Sequence, residues 1–383
     1  MDVWRDKILH RALGDADLIL PALEDDLALE RISRWAGKLG IPCAFDIDAY
    51  RVSSSKLDSN RLFQELDLPI PRLWPDSKFP VILKPDRGSG SRGIHICKDV
   101  TDLSKRFAVP GMMDGLIVQE FVKGNSYSLE VFGFPGTYRP LQVTDLYMDA
   151  SFDCKRVAAP TELNSAMKEE FANMSVSIAE ALGLKGLMDV EVIKNEGCLK
   201  ILEIDARLPS QTPITVFWST GLNMVELLGK LFTNPCGKLS FPELITDIAL
   251  GVVIEHIIVT EKRLEITGEH IWAGQESLRL HEDFFGADEA ITNYSPDRRQ
   301  WAASRPGLCP WIVDRARLKA SVKLCNKLYS IQDVKLSLLH IPMFPGLQRR
   351  LKKRATLFFW RTITVLSPSL EMQAGLLITP YPL

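Results

Sequence analysis

Met188-Asp-Val-Glu-Val-Ile193, followed by Leu199-Lys-Ile-Leu-Glu-Ile-Asp-Ala-Arg207, is the stretch on which the fold turns. Both runs alternate apolar and polar residues, as strands do when one face is packed and the other faces a site. The short turn over Lys194–Cys198 predicts that they are antiparallel neighbours. Alternation puts Asp189 and Glu191 on one face and groups Glu203, Asp205 and Arg207 likewise, with Val190, Val192 and Ile204 packed behind. Four carboxylates on one face of a buried hairpin repel one another unless a cation binds them. Mg²⁺ carrying nucleotide phosphates suits the position, because it takes few protein carboxylates and fills its shell with phosphate oxygens. The plainer alternative is a salt-bridged solvent face, against which the apolar intervening positions stand.

Upstream lies a glycine-rich segment, Lys84-Pro-Asp-Arg-Gly88-Ser89-Gly90-Ser91-Arg-Gly93. Glycines let backbone N–H groups approach phosphate oxygens, and serine hydroxyls add donors. A Walker loop or a dinucleotide fingerprint needs a helix after its glycines. Here Phe79–Leu83 before the loop and Ile94–Cys97 after it both read as strands. The segment is therefore a β–loop–β flap, with Lys84 at the end of the entering strand placed to reach a phosphate. A hairpin loop without a ligand is the alternative. A third piece, Leu116-Ile-Val-Gln119-Glu120-Phe121-Val122-Lys-Gly124, is an apolar strand ending in a short turn. Such a hinge can offer backbone groups to an adenine edge and apolar side chains to its faces.

Around these pieces the chain reads as α/β and α+β. Asp17–Pro21 and Ile41–Phe45 read as short strands flanking a helix over Glu24–Gly40, with Leu27, Ile32, Trp35 and Leu39 at helical spacing. Ser53–Leu66 reads as a helix, Val81–Val131 as short β runs, Glu162–Leu182 as a long amphipathic helix, and Ile245–Ile291 as strands. The chain has 383 residues and a net charge of −2, enough for two or three domains and no field that recruits nucleic acid. Its 7 cysteines include no CxxC pair, which predicts free thiols in a reducing compartment. The N-terminus lacks an apolar export segment, and no run approaches the roughly 20 apolar residues of a membrane span. A cytoplasmic location is expected. Beyond Lys335 the composition turns basic, with Lys335, Arg349, Arg350, Lys352, Lys353, Arg354 and Arg361 against Glu371 alone. This end reads either as a basic amphipathic surface helix or as an unrelated tail.

The order of basic helix, lysine plus flap, hinge and double-acid hairpin resembles the ATP-grasp superfamily over most of residues 17–290. The resemblance implies an ATP-grasp fold and ATP and Mg²⁺ as cofactors. Matching positions imply Lys56 and Lys84 on phosphates, with Ser89, Gly90 and Ser91 closing over them, and adenine held by Gln119, Glu120 and Val122. They also imply a metal held by Glu191, Glu203 and Asp205. The family often has Asn where Asp205 stands, and Asn125 and Ser126 replace an expected ribose-contacting acid. Within the superfamily, Phe45-Asp-Ile-Asp-Ala-Tyr-Arg-Val-Ser53, Lys185-Gly-Leu-Met-Asp-Val-Glu191 and Glu203-Ile-Asp-Ala-Arg-Leu-Pro-Ser-Gln-Thr-Pro213 resemble the pyrrolysine-biosynthesis ligases. These join 3-methylornithine to the ε-amine of lysine. The resemblance implies that Arg207, Ser210, Gln211 and Thr212 hold 3-methylornithine or D-ornithine, and that Arg207 and Lys84 carry catalysis. Glu24 matches a position expected to contact L-lysine, although an acid at a helix start is also favoured by the helix dipole.

The domains implied are a partial N-terminal α/β unit over 1–52, an ATP-grasp domain over 53–240, a β-rich region over 241–333 and the basic tail over 334–383. The ATP-grasp domain divides into a flap subdomain, 53–135, and a metal and substrate subdomain, 136–240. The family's glycine-bearing first strand and helix precede the point where this chain begins. That leaves two further readings: a nucleotide-binding relic without turnover, and a ligase for another amino acid or peptide.

Overall fold

The computed structural model describes residues 16–88, 90–107, 115–233, 251–260, 263–284, 287–308 and 376–378. The N-terminal part opens with β1 (Ile19–Pro21) and α1 (Asp26–Leu39). The Asp25 side chain caps α1 by accepting from Ala28 N at 2.7 Å, and Gly40 closes it with φ +68°. The buried face of α1 is Ala28, Leu29, Ile32 and Ala36, whereas Leu27 is 65% exposed. The expected strand over Ile41–Phe45 reduces to one parallel bridge, Ile19 with Cys43.

The helix expected over Ser53–Leu66 is α3 (Lys56–Glu65), and a short helix that the sequence did not suggest, α2 (Ile47–Ser53), precedes it. Ser55 separates them because its hydroxyl is used as an N-cap, accepting from Asp58 N at 3.1 Å. Next come β2 (Val81–Pro85) and β3 (His95–Cys97), then α4 (Val100–Phe107) and β4 (Leu116–Glu120). The strands form a three-stranded sheet, β3-β2-β4, with Lys84 within β2. Helix α4 is an element that the β-rich reading of Val81–Val131 passes over.

The remaining strands are β5 (Asn125–Gly133), β6 (Arg139–Pro140), β7 (Thr144–Met148), β8 (Cys154–Ala159), β9 (Gly186–Asn195), β10 (Cys198–Asp205), β11 (Val252–Thr260), β12 (Leu264–Ile266), β13 (Arg279–Phe284), β14 (Ala287–Thr292) and β15 (Gln300–Leu308). They make one 11-stranded antiparallel sheet with the path β10-β9-β5-β7-β8-β11-β15-β14-β13. Because β8 pairs with β11, the strands beyond residue 250 extend the same sheet as those before residue 205. Helix α5 (Ser165–Leu182), capped by Asn164 and ended by Gly183 with φ +59°, carries Phe171 and Ile178, both fully buried. They meet Leu129, Val131, Met188, Val190, Val192 and Ile204 in the main core, which backs the acidic face of the hairpin. Helices α6 (Thr212–Thr220), α7 (Met224–Thr233) and α8 (Glu269–Ala273) complete the order. Leu376–Ile378 pair antiparallel with β1, and the rest of the basic tail lies outside the described residues. Among the described residues no helix is long and apolar enough to cross a membrane, and Cys43, Cys97, Cys154 and Cys198 are free thiols.

Candidate active site

The hairpin β9–β10 has Glu203 directly opposite Glu191 and Asp205 opposite Asp189. Strand β5 adds a third rank, placing Ser128 beside Glu191 and Glu130 beside Asp189. A bulge between Ile201 and Glu203 lets Leu199 and Ile201 face the core and still turns both Glu203 and Asp205 toward the site. Burial, with Glu203, Asp189 and Asp205 around it, holds the Glu191 carboxyl well above the usual range. Burial and the neighbouring Asp189 and Glu203 do the same for Asp205. The repulsion expected from the sequence is thus present.

Two lysines answer it in part. Lys56 Nζ lies 3.9 Å from Glu203 Oε2 and donates to Gly88 O at 2.9 Å. Lys84 is 6% exposed, and burial pushes its pKa down to about 8 against the pull of Glu203. For a metal, the donor set is hard oxygen, and Asp205 Oδ1 is buried with no hydrogen-bond partner. Among the described residues no three His, Cys, Asp or Glu side chains close a cage on their own. A Mg²⁺ held by Glu191, Glu203 and Asp205 would therefore need further oxygen ligands, such as phosphate oxygens, to complete its shell.

Gly90 and Ser91 of the glycine-rich segment meet the opposite wall of the cavity. Ser91 Oγ donates to Phe152 O at 2.6 Å. Gly90, with φ +66°, presses so close to His270 that a Cβ there would sit 2.2 Å from Nε2. His270 is itself held, with Nδ1 2.9 Å from Asp153 Oδ1 and its backbone N donating to Asp153 Oδ2 at 3.0 Å. Ser89 lies outside the described residues. At the hinge, Gln119 and Val122 are buried, while the Glu120 carboxylate pairs with Lys200 at 2.8 Å and accepts from Arg72 N at 3.2 Å. That carboxylate is thus engaged by protein groups on the hinge itself.

Arg207 follows β10 and is nearly enclosed. Its Nε lies 2.8 Å from Asp205 Oδ2, and a terminal nitrogen donates to Glu24 Oε1. Two positions 183 residues apart therefore meet in one ion pair. Burial pushes the guanidinium pKa down to about 10, and Glu269 opposes the fall. One cavity of about 550 Å³ joins all of this. Its wall includes every described residue singled out from the sequence: Glu24, Lys56, Lys84, Gly90, Ser91, Gln119, Glu120, Val122, Glu191, Glu203, Asp205, Arg207, Ser210, Gln211 and Thr212.

Sequence reading missed the wall built from beyond residue 150: Phe152, Asp153, Glu269 and His270. It also missed His256, which lies within hydrogen-bonding reach of Gln211. Glu269-His270 carries no spacing that marks a site; only the sheet that folds α8 back against the flap brings it there.

The ATP-grasp domain family matches residues 53–211. A 3-methyl-D-ornithine–L-lysine ligase of Methanosarcina mazei is 33% identical over 271 residues, covering 70% of this chain and 67% of the relative. Its counterpart in Methanosarcina barkeri is 37% identical over 269 residues, covering 70% and 68%. In fold, the chain is similar to the biotin carboxylase domain of the Hydrogenobacter thermophilus 2-oxoglutarate carboxylase, solved with MgADP. That likeness has a TM-score of 0.62 at 18% identity and covers 83% of this chain and 76% of the other. The chain belongs to the 3-methyl-D-ornithine–L-lysine ligase family of ATP-grasp ligases.

Proposed function

We propose that this chain uses Mg-ATP to activate the carboxylate of 3-methyl-D-ornithine and joins it to the ε-amine of L-lysine, within pyrrolysine biosynthesis. The observation that carries the reading is the convergence of three groups on one cavity: the Glu191–Glu203 pair, Lys56 with Lys84, and Arg207. Glu191, Glu203 and Asp205 would hold Mg²⁺, which would shield the phosphate charge as the terminal phosphoryl group moves. Lys84 and Lys56 stand beside these acids, where they neutralise charge that spreads over the transferred group.

Arg207 presents a planar fork that binds and orients a carboxylate. Because it is separated from Asp205 by one residue along the chain, a carboxylate on that fork lies beside the terminal phosphates. Attack on the γ-phosphorus then gives an acyl phosphate and ADP. The lysine amine, having lost its proton, attacks the acyl carbon and inorganic phosphate leaves. The flap, seated on Phe152 and His270, keeps water from the acyl phosphate. Glu24, paired with Arg207, is the acid placed to receive the incoming lysine.

The test is ADP release followed by chromatography with ATP, Mg²⁺, D-ornithine and L-lysine. ADP that requires the ornithine-type substrate, with an amide that requires lysine as well, supports the reading. ADP released only with an unrelated carboxylate keeps the chemistry and overturns the substrates.

A further inference from the structure

Behind the cavity wall, three side chains leave buried oxygens without a partner among the described residues: Glu130, Thr144 and Thr212. Glu130 is fully buried, and both of its carboxylate oxygens are in this position. It stands in register beside Asp189, which is 8% exposed and lines the cavity. Burial and that neighbouring charge push the Glu130 carboxyl up to about 8. Asp189 accepts from Ser128 Oγ at 2.5 Å. Among the described residues, neither acid has a cation at ion-pair distance.

The hydroxyls come from two further elements. Thr144 on β7 lies opposite Ser128 on β5, so it shares the face that carries Glu130 and Asp189. It is fully buried as well. Thr212, the first residue of α6, is 5% exposed and brings its hydroxyl close enough to Glu130 to favour the charged carboxylate. A proton on Glu130 is the simplest remedy, and it falls short. It lets Glu130 donate once to Asp189 and leaves both threonine hydroxyls as they are. A cation draws on all four groups at once, since two carboxylates and two hydroxyls are hard oxygen donors, and a buried charge is tolerated when it coordinates a metal. Mg²⁺ fits poorly here, because it dehydrates reluctantly and demands an octahedral shell. A larger, weakly hydrated monovalent ion accepts an irregular shell of enclosed oxygens.

We propose that Glu130, Asp189, Thr144 and Thr212 form a binding site for a monovalent metal cation of the K⁺ class, set behind the cavity and separate from the Mg²⁺ position. The ion holds Asp189 beneath Asp205, its register partner, and offsets one of the negative charges crowded there. The site stands independently of the substrates proposed above.

The full chain is freed of alkali metals in tetramethylammonium chloride and titrated with KCl at constant chloride, without nucleotide, while thermal melting is followed. The melting temperature should rise by about 3 °C or more and saturate, as it does for an ion that binds only the folded state. Glu130→Gln keeps the shape and removes a carboxylate, so it should fold and lose most of the response to K⁺. Thr144→Val leaves both acids in place and should raise the K⁺ concentration at half-saturation by about tenfold. Crystals of the parent protein grown with Tl⁺ in place of K⁺ should show an anomalous peak between Glu130 and Asp189, a readout that needs no variant. A parent without a saturable response, or with Tl⁺ bound only elsewhere, leaves a shared proton on the acid pair and overturns the proposal. A Glu130→Gln variant that responds as the parent does overturns it too.

Discussion

Arg207 and Glu24 form an ion pair across 183 residues of sequence, and it ties the first α/β layer to the end of the acidic hairpin. Under the proposed function the pair would set the two substrate positions side by side: a carboxylate on the guanidinium and an amine near the glutamate. Arg207→Lys keeps the charge but loses the fork, so kcat/KM for the ornithine-type substrate should fall by about 100-fold or more. Nucleotide affinity should be preserved. Steady-state kinetics with each substrate varied in turn checks this; an equal loss for ATP would place Arg207 on the phosphates instead.

Glu203→Gln should abolish turnover and leave the fold intact, since Glu203 is partly exposed and its core-facing neighbour is Ile204. The amide removes a negative ligand where phosphate charge must be balanced. Unchanged thermal melting with kcat reduced far beyond tenfold, about 1.4 kcal/mol, is the expected result. Activity retained within that margin would remove Glu203 from the metal set.

Gly90→Ala tests whether the flap must seat on His270. A Cβ would lie 2.2 Å from the ring at a φ of +66° that alanine resists, so the flap is held away from its rest. KM for ATP should rise by about tenfold or more. Adding His270→Ala to that variant removes the obstacle and should recover part of the loss, which a double-mutant cycle reads directly. A purely additive cycle would mean that the contact has no role.

The carboxyls of Glu191 and Asp205 hold their protons to higher pH than usual, because burial and mutual repulsion disfavour the charged forms. Metal binding needs them ionised, so Mg²⁺ with ADP should bind more tightly as pH rises from 5 to 8 and should release protons on binding. In the free protein the sign is the opposite for stability. Groups with raised pKa bind more protons when folded, so their contribution falls as pH rises above the ordinary carboxylate range. Calorimetry at pH 7 in buffers of different ionisation enthalpy measures the protons released; proton uptake, or none, would contradict this.

The hairpin was legible because its signal is local. Alternation in Met188–Ile193 and Leu199–Arg207 fixes which side chains share a face, and the pairing of Glu191 with Glu203 follows from the register. The bulge after Ile201 was not legible, since nothing in the residues marks where one strand gains a residue. The helix over residues 53–66 was legible too, and the Ser55 hydroxyl sets its start at Lys56, whereas the short α2 before it was not. The wall formed by Asp153, Glu269 and His270 depends on β8 pairing with β11, a contact between segments about 100 residues apart. No periodicity reports such a contact.

In the proposed reaction the substrate carboxylate attacks the terminal phosphate. The direct measurement uses D-ornithine labelled with ¹⁸O in its carboxylate, with Mg-ATP and L-lysine, followed by mass spectrometry of the phosphorus products. An acyl phosphate predicts ADP as the only nucleotide product and one ¹⁸O in each inorganic phosphate released with amide. ¹⁸O found in AMP, or phosphate free of label while amide forms, would contradict it.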